Sequence, residues 1–254
     1  MKRFFFLPLT FILFLSSCTL PVGSGSVLSN ETKGWGFRKM QPRPEVTAEQ
    51  AAEMEKYGCY YMGSEAEKTL YLTFDEGYEN GHTAQILDVL KEKQVPAAFF
   101  VTGPYLKTEG ELVKRMLDEG HIVGNHSINH PSLPELSDEG IEAELYGLDL
   151  MLYEGYGVHM KYLRPPRGEY SSAVLEKTKN MGYTSVFWSV AYVDWKTDSQ
   201  QGAAHAVDSV VPQLHSGAVI LLHAVSADNA AAMGSIIDKA RELGYEFKSL
   251  DEYK

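Results

Sequence analysis

The chain has 254 residues and a formal net charge of −11, from 23 Lys and Arg against 34 Asp and Glu, and this length suits one large domain such as an α/β barrel. Its hydrophobic content of 44% and charged content of 22% are those of an ordinary globular protein and exclude a disordered chain. The acidic balance argues against nucleic acid as a partner, because a protein that binds phosphates needs a basic face.

The first 17 residues have the pattern of a lipoprotein signal peptide. Lys2 and Arg3 precede an apolar run at residues 4–15, which is shorter than the roughly 20 residues that a transmembrane helix needs. The run leads into Leu15-Ser16-Ser17-Cys18, which resembles a bacterial lipobox and implies cleavage before Cys18 and lipidation of its thiol. Ordinary secretory cleavage is the alternative. We therefore predict an exported protein that a lipid on Cys18 anchors to the outer face of the bacterial cytoplasmic membrane.

Residues 18–50 are predicted to form a tether between the lipid and a domain at residues 51–254. The segment has weak hydrophobic periodicity, residues 23–26 have the composition of a linker, and Pro42 and Pro44 disfavour a helix. Such a tether would lift the domain off the membrane.

Cys18 and Cys59 are the two cysteines of the chain. Because an exported protein can form disulfides, a bridge between them is one possibility. If Cys18 carries a lipid, Cys59 has no partner, and we then expect a lone and partly buried thiol.

From residue 69 onward, short strand-forming runs alternate with helical stripes. Strands are predicted at residues 70–74, 97–101, 121–123, 184–189, 218–222 and 245–250. Helices are predicted around residues 86–90, 112–117, 141–152, 203–214 and 227–243, with a short helix within 51–62 and a helix cap at Ser137. Strands that alternate with helices indicate a parallel sheet, either open or closed as a barrel.

Polar and aromatic side chains follow the carboxyl ends of the predicted strands. In parallel α/β folds, catalytic groups lie at these strand ends. Five separate segments bring titratable groups to the same rim, which solubility alone does not explain. In chain order, these residues are Asp75 and Glu76, His126 and His130, Arg164 and Arg167, Asp194 and Trp195, and His223.

His126 and His130 have the spacing of metal ligands. On a helical turn, positions i and i+4 lie on one face, as a shared divalent metal requires. Taken alone, the pair is a weak signal that favours two surface histidines. An acidic pair on a neighbouring strand end makes a site of two histidines and one carboxylate plausible, with positions left open for water and substrate.

Asp75 and Glu76 offer two carboxylates to this rim. They point in opposite directions if the strand persists, but at a relaxed strand end both could reach the site. One could then bind metal while the other takes a proton; the alternative is a solvated acidic turn before Gly77. His223 follows a buried strand, where it suits either a general acid or a histidine of the core.

Five ordered motifs resemble those of the polysaccharide deacetylases, the NodB-homology group of family 4 carbohydrate esterases. The resemblance spans residues 69–250, and further stretches at residues 77–81, 187–195 and 223–230 are similar to the branch that acts on N-acetylmuramic acid of peptidoglycan and leads to muramic δ-lactam. The motifs are Thr73-Phe74-Asp75-Glu76-Gly77, His126-Ser127-Ile128-Asn129-His130, Arg164-Pro165-Pro166-Arg167-Gly168, Asp194-Trp195 and Leu221-Leu222-His223.

The resemblance implies a distorted (β/α) barrel and a divalent metal, usually Zn²⁺. His126 and His130 would be metal ligands, and Asp75 the general base. Glu76 stands where the family usually has Asp as a third ligand. Because Glu is longer by one methylene, its role as a ligand is an expectation that the structure must test.

The remaining motif residues receive supporting roles from the same resemblance. Arg164 would orient Asp75, Asp194 would hold and tune His223, and His223 would protonate the leaving amine. Apart from the resemblance, Arg167, where many relatives have Tyr, is expected to receive an acidic group of the substrate; the alternative is that it pairs with a local acid and braces the rim. Trp188 and Trp195 are expected in the core or at the rim, where one of them, Trp195 in our assignment, could stack on a sugar ring.

Three functions follow as hypotheses. The first is a membrane-tethered, metal-dependent de-N-acetylase acting on N-acetylmuramic acid in peptidoglycan glycan strands. The second is deacetylation of N-acetylglucosamine in peptidoglycan or another surface glycan. The third is a non-catalytic glycan-binding lipoprotein, which only the departure at Glu76 favours.

Overall fold

The computed structural model describes Met1 and residues 28–254, so the predicted signal peptide and the lipobox at Cys18 lie outside the described residues. Within the described part, no helix is long and apolar enough to cross a membrane.

Over residues 28–254 the chain forms nine strands and eight α-helices. The strands are β1 (Lys33–Gly34), β2 (Thr69–Glu76), β3 (Ala97–Val101), β4 (Ile122–Asn125), β5 (Tyr162–Leu163), β6 (Glu169–Tyr170), β7 (Thr184–Ser185), β8 (Ala218–His223) and β9 (Glu246–Phe247). The helices are α1 (Ala48–Tyr57), α2 (Thr83–Lys93), α3 (Gly103–Thr108), α4 (Gly110–Asp118), α5 (Asp138–Tyr156), α6 (Ser172–Asn180), α7 (Ala203–Val210) and α8 (Ala227–Glu242).

Seven parallel strands form the main sheet, in the order β7-β5-β4-β3-β2-β8, with β9 beside the start of β2. After β7 the chain continues to Val190, which makes a parallel bridge to Ile220 of β8 and so connects the two ends of the sheet. The sheet therefore curls into a barrel with an incomplete strand, which confirms the predicted distorted (β/α) barrel.

Side chains of β2 alternate between the inside of the barrel and the surrounding helices. Leu70, Leu72 and Phe74 pack in the core shared with the helices, whereas Tyr71 lies in a separate interior cluster with Phe100. A strand that is buried on both faces reads as a continuous apolar run, as parallel strands do. By the same alternation, Thr73 and Asp75 face the barrel interior.

Most predicted elements are present, and the differences have local causes. Ser137 caps α5, where its Oγ accepts the N–H of Gly140 at 3.2 Å, as predicted. The helix predicted over residues 203–214 ends at Val210 and continues as a 3₁₀ turn that contains Pro212, because proline removes a backbone donor. The strand predicted at residues 245–250 is only the two residues of β9.

Residues 28–47, hereafter the N-terminal strap, pack on the domain. β1 pairs antiparallel with β6, and Trp35 lies in a buried cluster with Met54, Tyr57, Cys59 and Phe187. The part of the predicted tether that the structure describes is therefore not a free linker, because burial of the Trp35 ring holds it to the domain. α1 begins at Ala48, close to the short helix predicted within residues 51–62.

Candidate active site

A cleft of about 420 Å³ opens at the carboxyl ends of the parallel strands. It receives side chains from β2, β8 and the loop after β4, which is the position that parallel α/β folds use for catalysis. The lining residues are Asp75, Gly77, Tyr78, Thr102, Pro104, His126, Ile128, Asn129, His130, Trp195, His223 and Val225.

Asp75 is held in the cleft wall by Arg164. The guanidinium Nη1 of Arg164 lies 3.3 Å from Asp75 Oδ1, and its Nη2 donates to Thr73 Oγ1 at 2.9 Å. Arg164 is fully buried, with its guanidinium carbon 4.5 Å from the centre of the Phe100 ring. This places Arg164 where the resemblance implies it, oriented toward the carboxylate of Asp75.

His126 presents one free ring nitrogen to the cleft. Its Nδ1 lies 2.8 Å from the carbonyl oxygen of Arg164, which can only accept, so Nδ1 carries the hydrogen. Its Nε2 lies 3.6 Å from Asp75 Oδ2. Burial lowers the pKa of His126 to about 4, so the ring is neutral near pH 7 and Nε2 keeps its lone pair. A backbone carbonyl behind the far nitrogen is the usual support of a metal-binding imidazole.

His130 reaches the same place from a loop rather than a helical turn. Ser127 and His130 both have positive φ, 62° and 57°, so the helical geometry predicted for this motif is wrong. Ser127 Oγ accepts the N–H of His130 at 3.0 Å, and the two imidazole centres lie 4.7 Å apart. Burial lowers the pKa of His130, which also favours the neutral ring.

Glu76 does not join these histidines. β2 continues through residue 76, so the alternation persists and turns this side chain away from Asp75. Glu76 is fully buried and does not line the cleft, and among residues 28–254 neither of its carboxylate oxygens has a hydrogen-bond partner. Burial, with Glu79 and Asp75 nearby, raises the pKa of Glu76 well above its usual value.

The two imidazoles fit a divalent metal, whereas the predicted third ligand does not. Both rings are neutral, close together and beside the carboxylate of Asp75. Among the described residues, however, no three His, Cys, Asp or Glu side chains are arranged to share one ion. The structure thus brings His126 and His130 together and leaves Glu76 outside the set.

His223 lies beside Asp75 across the β2–β8 ladder and is held by Asp194. Asp194 Oδ1 lies 2.8 Å from His223 Nδ1, and its Oδ2 accepts the backbone N–H of His223 at 2.8 Å. Burial by itself lowers the pKa of His223, but the hydrogen bond and charge of Asp194 outweigh it and raise the pKa above its usual value.

Asn229 completes this arrangement and was not predicted as a site residue. Its Nδ2 donates to Asp194 Oδ2 at 2.6 Å, and its Oδ1 accepts the hydroxyl of Tyr192 at 2.6 Å. Both residues stand in the stretches at 187–195 and 223–230 that the resemblance includes, which was the only sequence signal for them.

The two predicted substrate-binding residues lie at the edge of the site. Trp195 lines the cleft, is 49% exposed, and has its ring centre 5.5 Å from that of His223. Arg167 has a positive φ of 59° and a half-exposed side chain, with Nε 3.5 Å from Glu169 Oε2. Arg167 is not among the residues that line the cleft, although burial lowers the pKa of His130 and the charge of Arg167 adds to this effect.

Comparison with known proteins decides the family. The sequence model of polysaccharide deacetylases matches residues 62–186. The peptidoglycan-N-acetylmuramic acid deacetylase PdaA of Bacillus subtilis is 48% identical over 227 residues, which cover 88% of this chain and 86% of PdaA. The chain belongs to the polysaccharide deacetylase family. The resemblance inferred from the five motifs is confirmed.

Solved structures place this deacetylase among the family 4 carbohydrate esterases, which are hydrolases of amide bonds. PdaA superimposes with a TM-score of 0.87 at 46% identity, over 89% of this chain and 98% of that one. A family 4 carbohydrate esterase from Bacillus anthracis gives a TM-score of 0.77 at 44% identity, with the same coverage. A peptidoglycan-N-acetylglucosamine deacetylase of Bacillus cereus is 34% identical over 194 residues, 73% of this deacetylase and 88% of that protein.

Proposed function

We propose that this deacetylase removes the acetyl group from N-acetylmuramic acid in peptidoglycan. One observation carries the proposal: Asp75 and His223 stand side by side on adjacent strands of one cleft, each with its own orienting partner. Hydrolysis of an acetamide needs a base that takes a proton from water and an acid that gives one to the leaving nitrogen.

Asp75 and His223 divide this work. Asp75, oriented by Arg164, accepts a proton from the attacking water while the oxygen of that water bonds to the acetyl carbon. His223, kept protonated by Asp194, donates its Nε2 proton to the amide nitrogen as the carbon–nitrogen bond breaks. The products are acetate and the free amine of the sugar.

His126 and His130 would hold the divalent metal on which the family in general depends. Zn²⁺ is the ion we propose, because two neutral imidazoles with open positions suit it. When bound, such an ion polarises the acetyl carbonyl and lowers the pKa of water toward about 7. The Arg164 carbonyl binds Nδ1 of His126 and thereby keeps Nε2, the nitrogen that would bind the metal, directed toward the cleft.

The preference for muramic acid rests on charge. Muramic acid differs from glucosamine by a lactyl group, which brings a carboxylate or the amide of a stem peptide. A protein with a net charge of −11 needs a local cation to receive such a group, and the planar fork of Arg167 suits a carboxylate. The 48% identity to PdaA favours the same sugar.

We propose that muramic δ-lactam follows from this reaction. The freed amine and the lactyl carboxyl belong to the same sugar, so they can condense into a six-membered ring with loss of one water.

Mass spectrometry of muropeptides tests the substrate. Glycan strands treated with the purified protein should lose acetyl groups from muramic acid, and products that have also lost water would be the lactam. N-acetylglucosamine oligomers should remain largely intact. Equal or better activity on those oligomers would overturn the choice of sugar, and no deacetylation of any glycan would leave a glycan-binding protein.

We propose further that a lipid on Cys18 anchors the protein to the outer face of the bacterial cytoplasmic membrane. The Leu15–Cys18 lipobox supports this proposal. The Cys18→Ser protein should leave the membrane fraction, and unchanged partitioning into detergent would reject the anchor.

A further inference from the structure

The N-terminal strap, residues 28–47, lies outside residues 62–186, the part matched by the family, yet it contacts two segments of the active site. We infer that Trp35 of the strap is a positioning residue for the deacetylase. Trp35 acts on Arg167 through the turn at residues 166–168, and on Arg164 through Trp188.

The first contact is made by the backbone. The N–H of Trp35 donates to the carbonyl of Gly168 at 2.8 Å, and Gly34 pairs with Glu169 in the β1–β6 ladder. Glu169 is also the residue whose carboxylate lies 3.5 Å from Arg167 Nε. The strap therefore fixes the chain immediately after Arg167, including Glu169, the acidic residue beside the Arg167 side chain.

This turn needs external support because of its conformation. Arg167 has a φ of 59°, in the left-handed region where a side chain is disfavoured, and Gly168 follows with a φ of 67°. A Cβ on Gly168 would lie 2.8 Å from the Trp188 ring and 3.3 Å from Trp35 Cβ. The two tryptophans thus close on Gly168, and the left-handed geometry that presents Arg167 persists because its surroundings are packed this tightly.

The second contact is made by the indole. Trp35 Nε1 donates to the carbonyl of Trp188 at 2.9 Å, and the Trp35 ring is buried against Phe187, with ring centres 4.9 Å apart. The Trp188 ring lies 5.4 Å from the guanidinium of Arg164, the residue that orients Asp75. One side chain of the strap therefore supports the positions of both arginines.

Three variants of the full chain test the inference. Trp35→Phe removes the indole N–H and keeps an aromatic ring, while Trp35→Ala removes both. Gln41→Ala is the matched control, because Gln41 Nε2 makes the strap's hydrogen bond to the Pro212 carbonyl at 2.6 Å, away from the 166–168 turn. Trp35→Ala should lower kcat/KM on muramic-acid strands by at least about tenfold, as expected when a positioned group is loosened. Gln41→Ala should leave it unchanged.

A double-mutant cycle with Arg167→Ala separates positioning from general stability. If Trp35 acts largely through Arg167, the loss caused by Trp35→Phe should shrink in the Arg167→Ala background, since coupled residues are not additive. Equal fold losses in both backgrounds would overturn the route through Arg167, and the same loss in Gln41→Ala would overturn the inference as a whole.

Because the activity assay rests on the proposed function, a second readout does not use substrate. Hydrogen exchange of the amides at residues 164–170 should be faster in Trp35→Phe than in wild type or Gln41→Ala. Unchanged exchange there would contradict the inference even if the protein proves inactive on muramic acid. Faster exchange without activity on that sugar would instead count against the proposed function alone.

Discussion

At His223, burial and a neighbouring carboxylate act on the same proton in opposite directions. Burial disfavours the imidazolium, whereas Asp194 stabilises it by contact and by charge, and the raised pKa shows that Asp194 prevails. The acid that we propose for the leaving amine therefore remains charged at a pH where a free histidine has lost its proton. The interaction of protonated His223 with Asp194 also stabilises the fold. This stabilisation is present at low pH and is lost as the pH rises through the raised pKa of His223.

The Asp194→Asn variant should shift the pH dependence of activity. Without the carboxylate, burial dominates and the pKa of His223 falls, so the basic limb of kcat/KM should move to lower pH by at least about one unit. Asp228→Asn is the control, because this buried acid accepts the N–H of Gln201 and, within the described part of the chain, makes no hydrogen bond or ion pair with His223. An unmoved basic limb in Asp194→Asn would show that His223 is not the acid.

Asp75→Asn keeps the shape of the side chain and removes the proposed base. The amide can occupy the same place beside Arg164, so the fold should survive while kcat falls by at least about 10²-fold, the scale of a positioned proton-transfer group. Steady-state kinetics together with circular dichroism would measure this. Near-normal turnover would refute the assignment of Asp75 as the base.

Metal analysis of single variants tests which residues are ligands. His126→Ala should lose stoichiometric metal, whereas Glu76→Gln should retain it, because Glu76 points into the layer between sheet and helices.

A neutral amide at position 76 also avoids ionising a buried carboxyl whose pKa is raised, a cost that is absent at low pH and grows as pH rises. Glu76→Gln should therefore melt at a higher temperature than wild type at pH 8 but not at pH 4. Loss of metal in Glu76→Gln would restore Glu76 as a ligand.

At the scale of elements, a helix cap contributes to the active site. Ser226 Oγ accepts the N–H of Asn229 at the start of α8, and Asn229 in turn donates to Asp194. The hydroxyl of Ser226 also donates to Gln200 Oε1 at 2.7 Å. The first residues of α8 thus belong to the hydrogen-bond network that holds His223.

Ser226→Ala should cost about 1 kcal/mol of stability, the usual value of a lost N-cap, and should also lower kcat. Ser137→Ala is its control, because Ser137 caps α5 with the same 3.2 Å hydrogen bond and lies outside the cleft. Chemical denaturation should give a loss for Ser226→Ala at least as large as that for Ser137→Ala, with kcat reduced only in Ser226→Ala. Equal kcat values in Ser226→Ala and Ser137→Ala would show that the cap of α8 does not affect the active site.

Periodicity and residue type were sufficient to predict the long elements and the rim to which the motifs belong. They could not predict the loop of His130, because the positive φ values of Ser127 and His130 depend on contacts with the rest of the barrel. Nor could they decide the direction of Glu76, which depends on whether β2 extends one residue further. Asn229 was missed because a neutral amide at a helix start has an ordinary role there.

At the scale of the whole molecule, the site depends on pairing between strands that are far apart in the sequence. Asp75 and His223 come from near opposite ends of the domain and meet only because β2 and β8 pair in parallel. The N-terminal strap adds a third distant segment. Local sequence patterns could indicate which strand ends carry chemistry, but only these long-range pairings determine their distances.

The charge of the whole chain makes Arg167 the informative variant for substrate choice. Arg167→Tyr should weaken turnover of muramic-acid strands by at least about tenfold, because it removes a cation that can bind a carboxylate bidentately. Metal content should be unchanged, and activity on N-acetylglucosamine oligomers should not fall in parallel. Parallel losses on both substrates would indicate that Arg167 only braces the rim with Glu169.

Cys59 lies in the same buried cluster as Trp35, and burial raises the pKa of its thiol to about 12. Only the thiolate reacts with disulfide reagents, so the folded cluster protects this sulfur almost completely. In the Cys18→Ser protein it is the sole thiol of the chain. The rate at which Ellman's reagent modifies Cys59 in this variant would then measure how often the N-terminal strap detaches from the folded domain, with absorbance as the only readout.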